Sequence, residues 1–266
     1  MRDFVYHLPA TVEEAVDILQ RNIDTKVIAG GMTLIPTLKQ RLASPSDLID
    51  LAGLPDLVGI TVGASDITIG AMTTHAAVAH SKEIAARLPA LAALAEGIGD
   101  PQVRHRGTIG GSISNADPAA DYPAALVGLG ATVVTDKREI TADDFFTGMF
   151  ETALESGEIV RQVRFPIPLA AGYAKFPNPA SRYAVIGAFV ARTSGGVRVA
   201  VTGAAPSVFR VPDMEAALTA SFTPEAIANI SVPAGDLNSD PHATAEYRAH
   251  LVGVMAARAV TTALES

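Results

Sequence analysis

The sequence contains no cysteine. That absence removes disulfides, thiolate nucleophiles, Cys-ligated zinc and Cys-ligated iron–sulfur clusters from this chain at once. Any redox chemistry it takes part in must use a bound organic cofactor. Charge is also sparse: 18% of residues are charged, and 28 acidic against 20 basic residues give a net charge of −8. An acidic surface repels a polyanion, which argues against general nucleic-acid binding and leaves phosphate to a local basic site. No apolar run approaches the roughly 18 residues of a membrane span, and the start, MRDFVYHLPATVEEA, turns polar before an apolar leader accumulates. The expectation is a cytoplasmic protein with no membrane span.

Several familiar motifs are missing too. There is no Gly-Lys dipeptide and so no P-loop, and no glycine cluster completes G-x-G-x-x-G after a strand; Gly128-Leu129-Gly130 has Val133 in the third place. A Rossmann domain is disfavoured. The six histidines, His7, His75, His80, His105, His242 and His250, form no i, i+4 pair, and no G-x-S-x-G occurs. Metal-hydrolase and α/β-hydrolase chemistry therefore find no carriers.

What is present is a folded chain of 266 residues, 48% apolar and without low complexity, long enough for one or two domains. Thr11 and Glu14 form a capping box before Val12, Ala15, Val16, Leu19 and Ile23, which predicts a helix over 12–22. Lys26 to Ala29 reads as a buried strand running into Gly30-Gly31, followed by a helix over 34–42 with Pro36 in its first turn. Short strands are expected at 48–51, 58–62 and 67–69, and helical pattern at 74–96, broken at Pro89. Gly97 to Asp121 is glycine-rich yet too long and apolar to be a linker. After Phe165-Pro166 the text changes to strands at 183–192 and 197–202, the latter with Val197, Val199 and Val201 on one face, then helices at 213–218 and beyond Asp240 with a stripe of Tyr247, Leu251, Val254 and Met255. Strands followed by helices predict a separate α+β domain from about residue 167 to Ser266.

Two segments carry candidate chemistry. In Ala29-Gly30-Gly31-Met32-Thr33-Leu34, adjacent glycines at a strand end let backbone N–H groups approach a ligand, Thr33 adds a hydroxyl, and the following helix N-terminus favours negative charge. In Arg104-His105-Arg106-Gly107-Thr108-Ile109-Gly110-Gly111-Ser112, a second Gly-Gly lies between hydroxyls and near two arginines. Two amide-rich loops converging would suit the pyrophosphate of a dinucleotide. A plain turn between strand and helix has the same composition, so the residues alone leave both readings open. Asp117 and Asp121, with Pro118 between them, read as an acid pair, as turn caps or as a ribose acceptor.

The runs VIAGGMTLIPTLKQRLASPSDLIDL, GDPQVRHRGTIGGSISNADPAADYPAAL, ASRYAVIGAFVA and VRVAVTGAAP resemble the FAD-binding medium subunit of molybdenum hydroxylases. Similar chains are the medium chains of carbon-monoxide-dehydrogenase-type enzymes and the flavin domain of xanthine dehydrogenase. The resemblance runs from about Phe4 to the C-terminal helix. It implies an α+β fold: a vanillyl-alcohol-oxidase-type (PCMH-like) FAD-binding domain over 1–166, with two α/β subdomains of about 1–55 and 56–166, then an α+β domain over 167–266. It implies that Ala29, Gly30, Gly31, Met32, Thr33 and Leu34, with Thr108, Ile109, Gly110, Gly111 and Ser112, hold the FAD pyrophosphate. Asn115 and Asp121 would line the adenosine or ribityl part, the backbone of Ile159 or Val160 would pair with adenine, and Tyr183 would lie near the isoalloxazine or else in the core.

Three departures from that pattern stand out. Met32 replaces the His or Gln of some relatives, so the first loop offers no nearby histidine for covalent flavin attachment and FAD is expected to be non-covalent. Ser112 replaces a frequent Asn, and no basic residue lies in Phe176-Pro177-Asn178-Pro179. The function implied is electron transfer from iron–sulfur clusters of a small partner subunit to an external acceptor, beside a large molybdopterin subunit, in a heterotrimer or a dimer of heterotrimers. The alternatives are a free-standing FAD oxidase or reductase of this fold, or a non-catalytic dinucleotide-binding subunit.

Overall fold

The computed structural model describes residues 1–265; Ser266, the end of the expected C-terminal domain, lies outside them. The chain begins with a small parallel sheet. β1 (Val5–His7), β2 (Thr25–Ile28) and β3 (Asp47–Asp50) lie in the order β1-β3-β2, with helices α1 (Val12–Arg21) and α2 (Leu34–Lys39) between them in sequence. The capping box forms as expected: Thr11 Oγ1 accepts from Glu14 N–H at 3.1 Å, and the Glu14 carboxylate accepts from Ala10 N–H. Asn22, expected as the last helical residue, is the C-cap. α2 stops at Lys39 rather than Leu42, where Arg41 turns to φ 61°.

The second sheet is antiparallel, in the order β4 (Ile60–Val62), β5 (Asp66–Gly70), β10 (Val160–Pro166), β6 (Thr132–Thr135), β7 (Glu139–Thr141). Between β5 and β6 the chain makes six helices: α3 (His75–His80), α4 (Lys82–Arg87), α5 (Pro89–Glu96), α6 (Pro101–Arg106), α7 (Ile109–Asn115) and α8 (Tyr122–Leu129). The expected break at Pro89 is joined by one at Ser81, whose hydroxyl caps α4 through Ile84 N–H at 3.2 Å. The glycine-rich stretch folds as α6 and α7. Every residue of α8 is buried, and Leu126 and Tyr122 share a core with Leu91, Leu94, Phe145 and Phe165. A short helix α9 (Ala142–Phe145) and the hairpin β8 (Phe146–Gly148) with β9 (Glu151–Thr152) precede β10.

The third sheet is an antiparallel meander of β11 (Ala170–Pro177), β12 (Ala184–Thr193), β13 (Gly196–Thr202) and β14 (Phe209–Arg210), followed by α10 (Pro212–Ala220) and α11 (Ala245–Glu265). Val197, Val199 and Val201 do share a face, packed with Met214, Leu218, Leu251 and Met255 of the two helices. The opposite face, through Phe189, Ala191 and Ala200, joins the core under α8. Both faces of β12 are thus covered, which is why it reads as nearly continuous apolar residues. Tyr183 falls one residue before β12, in a connection. Within α11, Leu251 and Met255 are buried while Tyr247 is 44% exposed; Ala256, Ala259, Val260 and Ala263 continue the buried face. Among the described residues no helix is long and apolar enough to cross a membrane.

Candidate cofactor site

β2 delivers the first glycine loop at its C-terminal end. Gly31 sits at φ 72°, a left-handed conformation that glycine adopts without penalty. Gly30 lies so close to the end of α6 that a Cβ there would overlap the Arg106 carbonyl oxygen. Ala29 and Leu34 are half-buried, and Met32 and Thr33 are exposed. The N–H groups of Gly30, Gly31, Met32, Thr33 and Leu34 donate to no acceptor among the described residues. Thr33 precedes α2 in an αR conformation (φ −100°, ψ −48°) and makes no side-chain cap, so it leaves these donors unengaged. Five neighbouring amides without protein partners are a donor set for a phosphate.

The second glycine loop meets the first: a Cβ on Gly111 would lie 3.0 Å from Thr108 Oγ1 and 3.4 Å from the Ala29 Cβ. Its amides behave differently from the expectation. Ile109 N–H donates to Thr73 O at 3.1 Å, Gly110 N–H to Ala71 O at 2.8 Å, Gly111 N–H to Thr108 Oγ1 at 3.1 Å and Ser112 N–H to Thr108 O at 3.0 Å. Thr108 is the N-cap of α7, and Thr108, Ile109 and Gly110 are buried. The expected amide cradle at Ile109–Ser112 is therefore corrected: the Ile109 and Gly110 donors hold α7 on the turn after β5, and the Gly111 and Ser112 donors are taken up by Thr108 in its N-cap. What this loop offers a ligand is the half-buried side chains of Ser112 and Asn115, one turn apart on α7, neither with a partner among the described residues. Arg106, whose backbone carbonyl lies against Gly30, is exposed and has no acidic partner among the described residues.

Asp121 and Ile159 also differ from expectation. Asp121 is 4% exposed, and its Oδ1 accepts from Tyr173 Oη at 2.5 Å and from Lys175 Nζ at 2.9 Å. Burial pushes this carboxyl up, against the pull of the Lys175 ammonium and the Tyr173 hydroxyl. Rather than lining an open site, Asp121 anchors α8 to β11. Ile159 has both backbone groups engaged by Asp136, donating to Oδ1 at 2.7 Å and accepting from its N–H at 3.0 Å, so it has no amide donor left for adenine. Val160 is buried and pairs with Thr135.

Tyr183 is 42% exposed and lies near the Thr33 side chain of the first loop. Burial, and then the Asp117 carboxylate, raise its pKa. The connection that carries it is held by Lys175, whose Nζ also donates to Gly97 O at 2.8 Å and Arg182 O at 3.0 Å. Lys175 was missed in the sequence, although it stands one residue before the Phe176–Pro179 run that lacks a basic side chain. Its only signal is a lysine inside a segment that must pack on both sides.

The donor loop, the two α7 side chains and Tyr183 fit a ligand with an anionic, phosphate-bearing part and an aromatic part. Comparison with known proteins agrees. The family described as FAD binding domain in molybdopterin dehydrogenase matches residues 2–168, and CO dehydrogenase flavoprotein C-terminal domain matches 172–263. The carbon monoxide dehydrogenase medium chain of Hydrogenophaga pseudoflava is 39% identical over 98% of this chain and 96% of its own length. The nicotine 6-hydroxylase medium subunit of Paenarthrobacter nicotinovorans is 36% identical over 97% and 96%. Among solved structures, the carbon monoxide dehydrogenase from Hydrogenophaga pseudoflava superposes with a TM-score of 0.89 at 37% identity, covering 99% of this chain and 98% of that one. Quinoline 2-oxidoreductase from Pseudomonas putida 86 gives a TM-score of 0.89 at 28% identity, covering 99% and 98%. The fold is the PCMH-type one expected, the cofactor is FAD, and the chain belongs to the family of FAD-binding medium subunits of molybdenum-hydroxylase-type oxidoreductases.

Proposed function

We propose that this subunit relays electrons from iron–sulfur clusters of a small partner chain to an external acceptor, while a large molybdopterin chain oxidises the substrate. FAD, when bound, supplies the electron chemistry; the protein's task is to hold and tune it. The chain has no cysteine for clusters of its own, so the iron–sulfur ligands belong to another polypeptide. The assembly is a heterotrimer or a dimer of heterotrimers in the cytoplasm. Within this chain, residues 1–166 form the flavin domain and 167–266 the second domain.

The observation that carries the reading is the run of five unpartnered N–H groups from Gly30 to Leu34. These donors receive the FAD pyrophosphate, with Ser112 and Asn115 reaching the same ligand from α7 and Tyr183 facing its ring system. Thr108, Ile109, Gly110 and Gly111 act by fixing α7 against the first loop, and Asp121, Ile159 and Val160 by holding the elements around it. Attachment is non-covalent, because the chain has no cysteine and the first loop carries Met32 rather than a histidine.

The test is purification of the chain alone and with its co-expressed small and large partners. The visible spectrum should show oxidised flavin, and acid precipitation should release it to the supernatant. With partners present, substrate should bleach the flavin anaerobically; in the isolated chain it should not. Bleaching without partners would instead mark an independent oxidase.

A further inference from the structure

The connection between β11 and β12 runs from Asn178 to Tyr183 and closes on itself. Asn178 N–H donates to Tyr183 O at 2.8 Å, Arg182 N–H to Asn178 O at 2.9 Å, and the Asn178 side-chain oxygen accepts from the N–H groups of Ala180 at 2.9 Å and Ser181 at 3.1 Å. Within this tight loop Arg182 sits at φ 62°, a left-handed conformation that a residue with a Cβ rarely adopts. Strain of that kind persists only where the surroundings hold it.

The contacts that hold it lead to one place, the half-buried Gly97–Gly99 turn after α5. Lys175 Nζ donates to Arg182 O at 3.0 Å and to Gly97 O at 2.8 Å, and Arg182 Nη1 donates to Gly99 O at 3.3 Å. Arg104 of α6, 9% exposed, donates to Ile98 O at 3.2 Å and Gly99 O at 3.4 Å. Cations from β11, α6 and the connection thus converge on three consecutive carbonyls at the negative end of a helix. Their roles separate. Lys175 also pairs with the buried Asp121, and Arg104 with Glu96 at 2.8 Å, so both belong to anchors between elements. Arg182 is exposed and pairs with no carboxylate, and the Gly99 bond is its one side-chain bond among the described residues. Removing such a side chain changes stability little. What it does fix is the residue that follows: Tyr183 lies near the Thr33 side chain and, with Asn178 and Ser181, lines a cleft of about 330 Å³.

We propose that Arg182 is a positioning residue for the flavin site: by tying its guanidinium to Gly99 O it holds the connection, and with it the Tyr183 ring, at the first glycine loop. This rests on the reading that Tyr183 faces the ring system of FAD. The action of Arg182 is indirect, through Tyr183. A left-handed residue turns the chain back so that Ala184 pairs with Pro177 as β12 begins, and the guanidinium bond fixes that turn to a part of the first domain.

The experiment begins with the apo chain expressed with 3-fluorotyrosine. The sequence has five tyrosines and no tryptophan, so the fluorine spectrum is simple, and the Tyr183 resonance is the one missing in Tyr183→Phe. Arg182→Met removes the guanidinium and keeps the stem. It should shift or broaden the Tyr183 resonance alone, with the apo thermal midpoint unchanged, and Arg182→Lys, which returns an N–H donor, should bring the resonance back towards wild type. Titration of the same variants with FAD is the second readout. Arg182→Met should weaken binding by about two- to tenfold, the scale of one net hydrogen bond, and should add no further loss to Tyr183→Ala, because it acts through that ring. A Tyr183 resonance at its wild-type position in Arg182→Met overturns the proposal, and so does an equal added loss of affinity in the Tyr183→Ala background. Wild-type FAD affinity in Tyr183→Ala, with the resonance shifted in Arg182→Met, overturns the reading of Tyr183 beneath the proposal and leaves the hold of Arg182 on the ring standing.

Discussion

Gly30-Gly31 precede the short helix α2 and Gly110-Gly111 lie in the first turn of the short helix α7, and each pair lies within two residues of a threonine. Yet the N–H groups from Gly30 to Leu34 have no acceptor among the described residues, while those from Ile109 to Ser112 have all donated. The threonines account for much of the difference. Thr108 is extended at the N-cap and takes Gly111 N–H on its hydroxyl, whereas Thr33 is already in the αR region and caps nothing. The neighbours supply the rest: Thr73 and Ala71 offer carbonyls to the second loop. One glycine pair therefore presents donors to a ligand, and the other lets two pieces of protein touch. If that division is right, changes to engaged groups should cost stability and changes to unengaged groups should cost flavin.

The largest loss should come from Lys175→Met. It leaves Asp121 buried without its cation, and breaking one side of a buried ion pair costs about 3–5 kcal/mol. Denaturant unfolding of the apo chain should show this loss in full before any flavin is added. An unchanged apo midpoint would mean that Asp121 serves the ligand rather than the anchor.

Paired glycine variants come next and test the comparison directly. In Gly110→Val the new Cβ would sit 2.5 Å from the Ala71 Cβ and 2.7 Å from its carbonyl, and overpacking of this kind costs about 1–3 kcal/mol. In Gly31→Val the nearest obstacle is the end of the Ile35 side chain, at 2.7 Å, which can move, but the φ of 72° is disfavoured for valine. Gly110→Val should therefore lower the thermal midpoint of the apo chain more, and Gly31→Val should lower flavin affinity more, by about tenfold or beyond if one charge-assisted hydrogen bond is lost. Equal flavin loss in both variants, at equal apo stability, would erase the distinction between the loops.

Acid should act on an engaged carboxylate. Glu158 accepts from the Thr135 hydroxyl at 2.7 Å, from Glu155 N–H at 2.7 Å and from Arg138 at 3.0 Å and 3.1 Å. Burial alone would raise its pKa, but Arg138, the Glu155 amide and the Thr135 hydroxyl outweigh it and hold the group at about 2, below the ordinary 4.5. A depressed folded-state pKa gives stability that is present above the unfolded value and fades as pH falls through 4.5 towards 2. Glu158→Gln should flatten that acid limb in a plot of thermal midpoint against pH, with flavin affinity at neutral pH unchanged.

Much of this was legible in the sequence where the signal is local. The Thr11–Glu14 box, the alternation of Val197, Val199 and Val201, and the strand entering Gly30-Gly31 are patterns within a few residues, and all three appear in the fold. β11 gave no strand signal because Ala170, Ala171, Gly172 and Ala174 are small residues chosen for close approach: a Cβ on Gly172 would overlap the Ala259 carbonyl of α11. The Asp121 partners lie 52 and 54 residues away, at Tyr173 and Lys175. That the Ile109 and Gly110 amides are engaged is likewise decided by the carbonyls of Thr73 and Ala71, which no spacing within the loop reveals. The resemblance located both loops, but only the tertiary hydrogen bonds separate the donor from the support.

The smallest effect is the sharpest check on the second loop. Ser112 is half-buried on α7, its N–H is engaged by Thr108 O, and its hydroxyl has no partner among the described residues. Removing that hydroxyl takes nothing from the fold, so Ser112→Ala should leave apo stability within about 0.5 kcal/mol of wild type. If the hydroxyl reaches FAD, affinity should fall by about 0.5–1.5 kcal/mol, the range for one net hydrogen bond, and Asn115→Ala should behave alike one turn along. Calorimetric titration of the apo variants with FAD reads both numbers. Unchanged affinity in both would confine the ligand to the first loop and Tyr183, and leave α7 as support alone.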